Sequence, residues 1–218
     1  MPSTLDERSL ALAVARLCAD DPDLAGIVER HGPPPMWDRA PGFPTLLHIV
    51  LEQQVSLTSA QAAFDRLTAA ANVVGAPTAA PVTPGRFLEF TDAELLAIGF
   101  SRQKARYGRA LATAVGSGAL DLDGLADLDD GRVQAALEAV PGIGPWTSTI
   151  YLLMVLGRPD VWPVGDIALA QAVAEVKGRP ARPSADEMAT IGERWRPWRS
   201  VAARLLWHDY LRRRGRPG

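Results

Sequence analysis

Apolar residues recur at three- and four-residue spacings along almost the whole chain, and no stretch alternates apolar and polar with period two. That pattern predicts helix after helix and an all-α fold. Residues 5–18 read as an amphipathic helix, and residues 22–30 as a short one with proline in its first turn. Residues 31–44 (HGPPPMWDRAPGFP) are dense in proline and read as an extended connector. An apolar-rich helical region is expected over 45–71, with a break near 55–58. A Pro/Gly-rich loop over 75–85 follows, then short helices at 86–90 and 92–98. Thr91 and Glu94 are spaced for a capping box on the second of these. Further helices are expected at 101–115, 129–139 and, beyond a VPGIGP turn, at 146–156. Asp166 opens a helix over 167–177, Ser184 caps another that runs to Glu193, and the last spans 197–214.

Composition then narrows the class. Of 218 residues, 47% are hydrophobic and 22% charged, an ordinary globular balance sized for one large domain or two small ones. A single cysteine, Cys18, excludes an internal disulfide, a zinc site built from four cysteines and an iron–sulfur cluster held by four thiolates. His31, His48 and His208 are too scattered for a His-rich metal centre. No apolar run approaches the ~18 residues of a membrane span, and the opening residues do not read as a signal peptide. The expectation is a soluble, cytoplasmic protein with no membrane partner. Formal charge is −2, yet residues 158–218 carry 12 Lys and Arg against 7 Asp and Glu, while residues 1–157 carry 11 against 18. The basic excess is local, which permits an anionic partner without requiring one.

The informative motif is LEAVPGIGPWT, residues 137–147, between two helices. Gly142 and Gly144 flank one apolar residue, so the chain can turn sharply while Ile143 tucks inward. The second helix then opens with unpaired N–H groups, which together with the helix dipole suit a phosphate oxygen. Four further segments join it: LEQQVSLTSAQ (51–61), GFSRQKARYGRALA (99–112), LGRPDVWPVGDIALAQAV (156–173) and ERWRPWRSVAARLLW (193–207). With these segments the chain resembles the helix-hairpin-helix (HhH-GPD) DNA glycosylases, and within them DNA-3-methyladenine glycosylase II. The resemblance implies two helical lobes flanking a cleft. Residues 43–158 would form a central lobe that includes the hairpin (about 132–157), and 1–42 plus 159–218 a second lobe. It also implies a monomer, acting in the nucleoid if bacterial, whose partner is duplex DNA containing damaged bases.

Asp166 is first a preferred N-cap; the resemblance implies that it is also the catalytic carboxylate. Breaking an N-glycosidic bond builds positive charge on the sugar, which a nearby carboxylate stabilises. Trp146 stands where bifunctional members carry a lysine nucleophile, and tryptophan cannot form a Schiff base. The implied activity is therefore base excision by water without strand cleavage. Trp146 and Trp207 would line a pocket for cationic alkylated purines such as 3-methyladenine and 7-methylguanine. A family tyrosine four residues after the hairpin tryptophan is replaced by Ile150, with Tyr151 beside it, and both enter the candidate pocket. Gln54, with Gln53, is the implied wedge that fills the stack when the nucleotide is extruded. Gly142, Ile143, Gly144, Trp146 and Thr147 would meet the DNA backbone. The carbonyls of Glu138, Val140 and Ile143 would hold a monovalent cation, sodium or potassium; no other cofactor is implied. Two alternatives stand beside this reading: a glycosylase for other lesions such as deaminated bases, and a DNA-binding hairpin module without chemistry.

Other residues read as supporting. Arg102, Lys104 and Arg106 are within reach of a phosphate backbone or merely solvated. Arg196 and Arg199 read as ties for the last helix, and the tail RRRGR (212–216) as a source of salt-sensitive DNA affinity. Trp37 reads as covering a hydrophobic seam and Cys18 as a core residue; His48 and His208 have no evident partner.

Overall fold

The structure, a computed structural model, describes residues 4–72 and 82–216, so most of the loop expected at 75–85 lies outside the described residues. All regular structure within them is helical: α1 (Glu7–Asp20), α2 (Pro22–His31), α3 (Phe43–Glu52), α4 (Leu57–Ala71), α5 (Pro84–Glu89), α6 (Asp92–Ile98), α7 (Arg102–Gly116), α8 (Asp130–Glu138), α9 (Pro145–Met154), α10 (Ile167–Val176), α11 (Ala185–Gly192) and α12 (Arg199–Arg213), with short 3-10 turns at Gly124–Asp127 and Glu193–Trp195. The caps explain the starts. Thr91 and Glu94 form the expected capping box, Ser184 and Glu187 form another, and Asp166 caps α10. The expected break in 45–71 is the turn between α3 and α4, residues 53–56.

The chain divides into two compact units, residues 1–38 with 152–218 and residues 39–151. The resemblance implies junctions at 42 and 158, whereas the structure divides after Asp38 and within α9 after Tyr151. The reason lies in α12: its Arg204 guanidinium donates to the carbonyls of Leu153 (2.9 Å), Met36 (2.8 Å) and Ser200 (3.4 Å). The end of α9 is thereby tied to α12. Arg204 has no exposed surface, and burial pushes its pKa down to about 10.

In the first unit α12 is the centre, buried from Ser200 to Asp209, with α1, α2 and α10 against it. Asp209, also fully buried, accepts from Arg30 (3.0 Å) and Arg213 (2.5 Å). Lys177 after α10 donates to Asp21 and Asp23, and the Trp195 indole to Asp21. Arg196 and Arg199 both grip Asp160, at 2.8 and 2.9 Å, and so anchor the start of α12 as the sequence reading has it. In the second unit α3 packs on α4 and α7, and α5 and α6 on α7. Phe43, Phe87 and Phe100 meet in the core, with ring centroids 6.0 and 5.7 Å apart along the series.

Candidate active site

The hairpin belongs to the second unit. Past α8 the Ile143 N–H bonds the Val140 carbonyl (3.1 Å), the Ile143 side chain is buried, and α9 opens at Pro145. Its ladder begins when the Ser148 N–H reaches the Gly144 carbonyl at 3.0 Å. The Ile143 N–H is spent on Val140 and so is not offered to a phosphate, which removes Ile143 from the expected backbone contacts; the amides ahead of that ladder are where an anion site at a helix start would lie. Ser148 Oγ donates to Glu138 (2.6 Å) and so links the two helices of the hairpin. Gly142 holds φ +95°, and a Cβ there would fall within the Tyr107 ring, which covers the turn from α7. Both demands select glycine.

The turn between α3 and α4 leans on this hairpin. Gln53 Nε2 donates to the Gly142 carbonyl (2.9 Å) and to Thr147 Oγ1 (2.9 Å). Gln53 is therefore a strut and not a wedge, because its amide is already committed within the fold. Thr147 is corrected as well: its hydroxyl is buried and taken by Gln53, which leaves only its backbone for a phosphate. The Lys104 ammonium donates to the Leu51 carbonyl at the end of α3 and is not offered to a phosphate backbone. Burial lowers its pKa. Arg39 clamps the buried Glu52 in two bonds of 2.9 and 3.1 Å. Between these ties Gln54 is exposed with φ +57°, an unfavourable conformation for a residue with a Cβ. Val55 and Leu57 beside it are 45% and 52% exposed.

The candidate carboxylate belongs to the first unit. Asp166 adopts extended backbone (φ −79°, ψ 114°) and its Oδ1 accepts the Leu169 N–H at 2.6 Å, the N-cap bond expected from sequence. A second donor reaches the same oxygen: Trp207 Nε1, from α12, at 3.2 Å. Trp207 is 8% exposed. Ile167, the first residue of α10, is largely exposed beside them.

The remaining candidates are placed as follows. Trp146 is half-buried in the first turn of α9. Ile150 and Tyr151 are core: Tyr151 has no exposed surface, and burial pushes its pKa up to about 12. Neither presents surface to a ligand, so both leave the candidate pocket. Arg102 and Arg106 are exposed on α7. In the tail, Arg213 and Arg214 pair with Asp209 and Glu175, while Arg212 and Arg216 are exposed. Trp37 (φ +47°) stands tilted beside the His208 ring, with centroids 6.4 Å apart, and Cys18 is half-buried, nearer the surface than a core residue. For the histidines, two contacts escaped the sequence reading. His208 Nε2 meets the His31 carbonyl (3.2 Å), and His48 stacks on Phe64 at 4.6 Å. Their partners are distant or aromatic, and no spacing rule announces them.

The model of the HhH-GPD superfamily of base excision DNA repair proteins matches residues 47–197. DNA-3-methyladenine glycosylase 1 of Schizosaccharomyces pombe is 27% identical over 185 residues, covering 84% of this chain and 79% of that protein. The structure is similar to the Schizosaccharomyces pombe 3-methyladenine DNA glycosylase Mag1 in complex with abasic DNA, with TM-score 0.79, 24% identity and coverage of 89% of this chain and 94% of that one. It is also similar to the Bacillus halodurans DNA-3-methyladenine glycosidase, with TM-score 0.69, 28% identity and coverage of 89% and 87%. Against several other curated relatives the chain spans only 40% to 65% of their length. The matched residues run from α3 to the entry of α12 and take in the hairpin, the Gln53–Gln54 turn and Asp166, and the chain belongs to the HhH-GPD superfamily of base excision DNA repair proteins.

Proposed function

We propose that this chain is a monofunctional DNA glycosylase that removes alkylated bases of the 3-methyladenine and 7-methylguanine type from duplex DNA. The observation that carries the reading is Asp166, an aspartate opening a helix at the family's catalytic position, with its Oδ1 fixed by Leu169 N–H and Trp207 Nε1. The hairpin amides bind phosphate, and Gln54 enters the stack as the damaged nucleotide turns out. Trp146 supplies an aromatic face for the base, which attracts a ring bearing positive charge. The C1′–N bond breaks with its electron pair leaving on the base, and the Asp166 carboxylate stabilises the positive charge left on the sugar. Water then bonds to C1′ and loses a proton, giving an abasic site with both strands intact. A cationic base is already a good leaving group, so modest electrostatic help suffices.

A monovalent cation on the carbonyls of Glu138, Val140 and Ile143 belongs to the same reading. The Val140 carbonyl already accepts the Ile143 N–H and keeps a second lone pair. Among the described residues no group of three His, Cys, Asp or Glu side chains offers a metal site, and no helix is long and apolar enough to cross a membrane. The same reading has the protein act as a monomer in the cytoplasm, on the nucleoid if bacterial.

One observation favours a second reading, a hairpin module without chemistry: the 2.6 Å bond to Leu169 is all that a capping aspartate needs. Asp166→Asn separates the two, because Asn caps as well as Asp and keeps the accepting oxygen while removing the charge. Release of free base from methylated duplex should fall by at least about 10²-fold, the scale of losing a transition-state stabiliser, with duplex affinity retained. Unchanged release would leave Asp166 a cap only. Release from deaminated but not methylated duplex would move the substrate to another lesion class.

A further inference from the structure

Trp207 enters the sequence reading as a wall of the base pocket. Its geometry supports a different part in the reaction. The indole nitrogen is 3.2 Å from Asp166 Oδ1, the oxygen that also caps α10. The two donors come from separate elements: Leu169 N–H from the helix that Asp166 itself opens, and the indole from α12. A cap bond fixes one oxygen and not, by itself, the attitude of the carboxylate plane. A second donor on the same oxygen from another direction restricts that rotation, provided that the donor cannot move.

Trp207 meets that condition. It sits within the run Ser200–Asp209, every residue of which is buried, and α10 packs against α12. One turn before it, Arg204 is fixed by three main-chain carbonyls. Two residues after it, Asp209 is fixed by Arg30 and Arg213. An indole so held can set the attitude of a carboxylate, and placement of a charged group against a developing cation is a factor to which excision is sensitive.

We infer that Trp207 is a positioning residue, whose indole N–H fixes the Asp166 carboxylate for glycosidic cleavage. The inference rests on the catalytic reading of Asp166, and the test keeps the two apart. Wild type, Trp207→Phe, Asp166→Asn and the double variant are compared by single-turnover release of 7-methylguanine and by equilibrium binding to methylated duplex. Phe keeps an aromatic wall and removes the donor, along with the rest of the five-membered ring. Trp207→Phe should slow release about tenfold or more, since small misplacement of a reacting group is costly, with binding within about twofold. In the Asp166→Asn background the same change should cost nothing further, because two residues acting through one step are not additive. A rate within about twofold of wild type, a loss carried by binding, or an additive loss in the double variant each overturn the inference while sparing Asp166. An Asp166→Asn variant of full activity overturns the catalytic reading itself. If Trp207→Phe does not fold, the Trp207 indole N–H resonance decides: it should move in Asp166→Ala, and an unmoved resonance rejects the contact.

Discussion

Gln53 and Gln54 are adjacent and chemically identical, yet the fold places them in opposite surroundings. Gln53 spends its amide on the Gly142 carbonyl and the Thr147 hydroxyl. Gln53→Ala leaves a buried hydroxyl and a carbonyl short of a donor and should cost about 1–3 kcal/mol in urea unfolding, with duplex affinity falling because the hairpin loses its strut. Gln54 reaches outward from backbone at φ +57°. Gln54→Gly should raise stability by about 1 kcal/mol by relieving that conformation while it lowers base release. A wedge variant that gains stability and keeps full excision would remove Gln54 from the mechanism. On the proposed reading, a strained residue exposed between rigid ties is where stability and activity are expected to diverge.

At the scale of elements, the hairpin is held by a fit between α7 and the turn before α9. Gly142→Ala meets both a positive φ and the Tyr107 ring, and should destabilise by about 2–4 kcal/mol, measured by urea unfolding. Adding Tyr107→Ala should recover the steric part and leave the dihedral part. The elements themselves were legible in the sequence. Apolar periodicity placed the helices, Thr91, Ser184 and Asp166 marked three starts, and a break was expected within two residues of the turn between α3 and α4. The hairpin was legible because glycine spacing and Ile143 carry its geometry in consecutive residues. What joins those elements was not. Gln53 finds its partners 89 and 94 residues later in the chain, and Asp166 and Trp207 are 41 residues apart. Periodicity records which face is apolar, not which polar group waits across the contact. Resemblance, which put Tyr151 in a pocket beside a family position, likewise does not record that α9 turns it into the core.

For the molecule as a whole, two histidines set the acid side of stability. His48 and His208 are largely buried, and burial, the dominant cause, lowers the pKa of each below the ordinary 6.5. The unfolded chain then binds protons that the folded chain refuses, so stability is full above about pH 6.5 and declines as pH falls toward the depressed values. The thermal midpoint should drop between pH 7 and 5, and His48→Phe, which keeps a ring against Phe64, should flatten part of that slope. On the basic side, the inventory of cations has a consequence of its own. Of 23 Lys and Arg side chains only two are lysines, and both are occupied: Lys104 at the Leu51 carbonyl, Lys177 between Asp21 and Asp23. The rest are guanidinium groups, which stay charged at any physiological pH. Acetic anhydride should therefore leave duplex affinity unchanged where an arginine reagent such as phenylglyoxal abolishes it, and borohydride should trap no side-chain amine on an abasic strand. Enzymatic acetylation, a common means of loosening proteins from nucleic acid, has almost nothing on this chain to act upon.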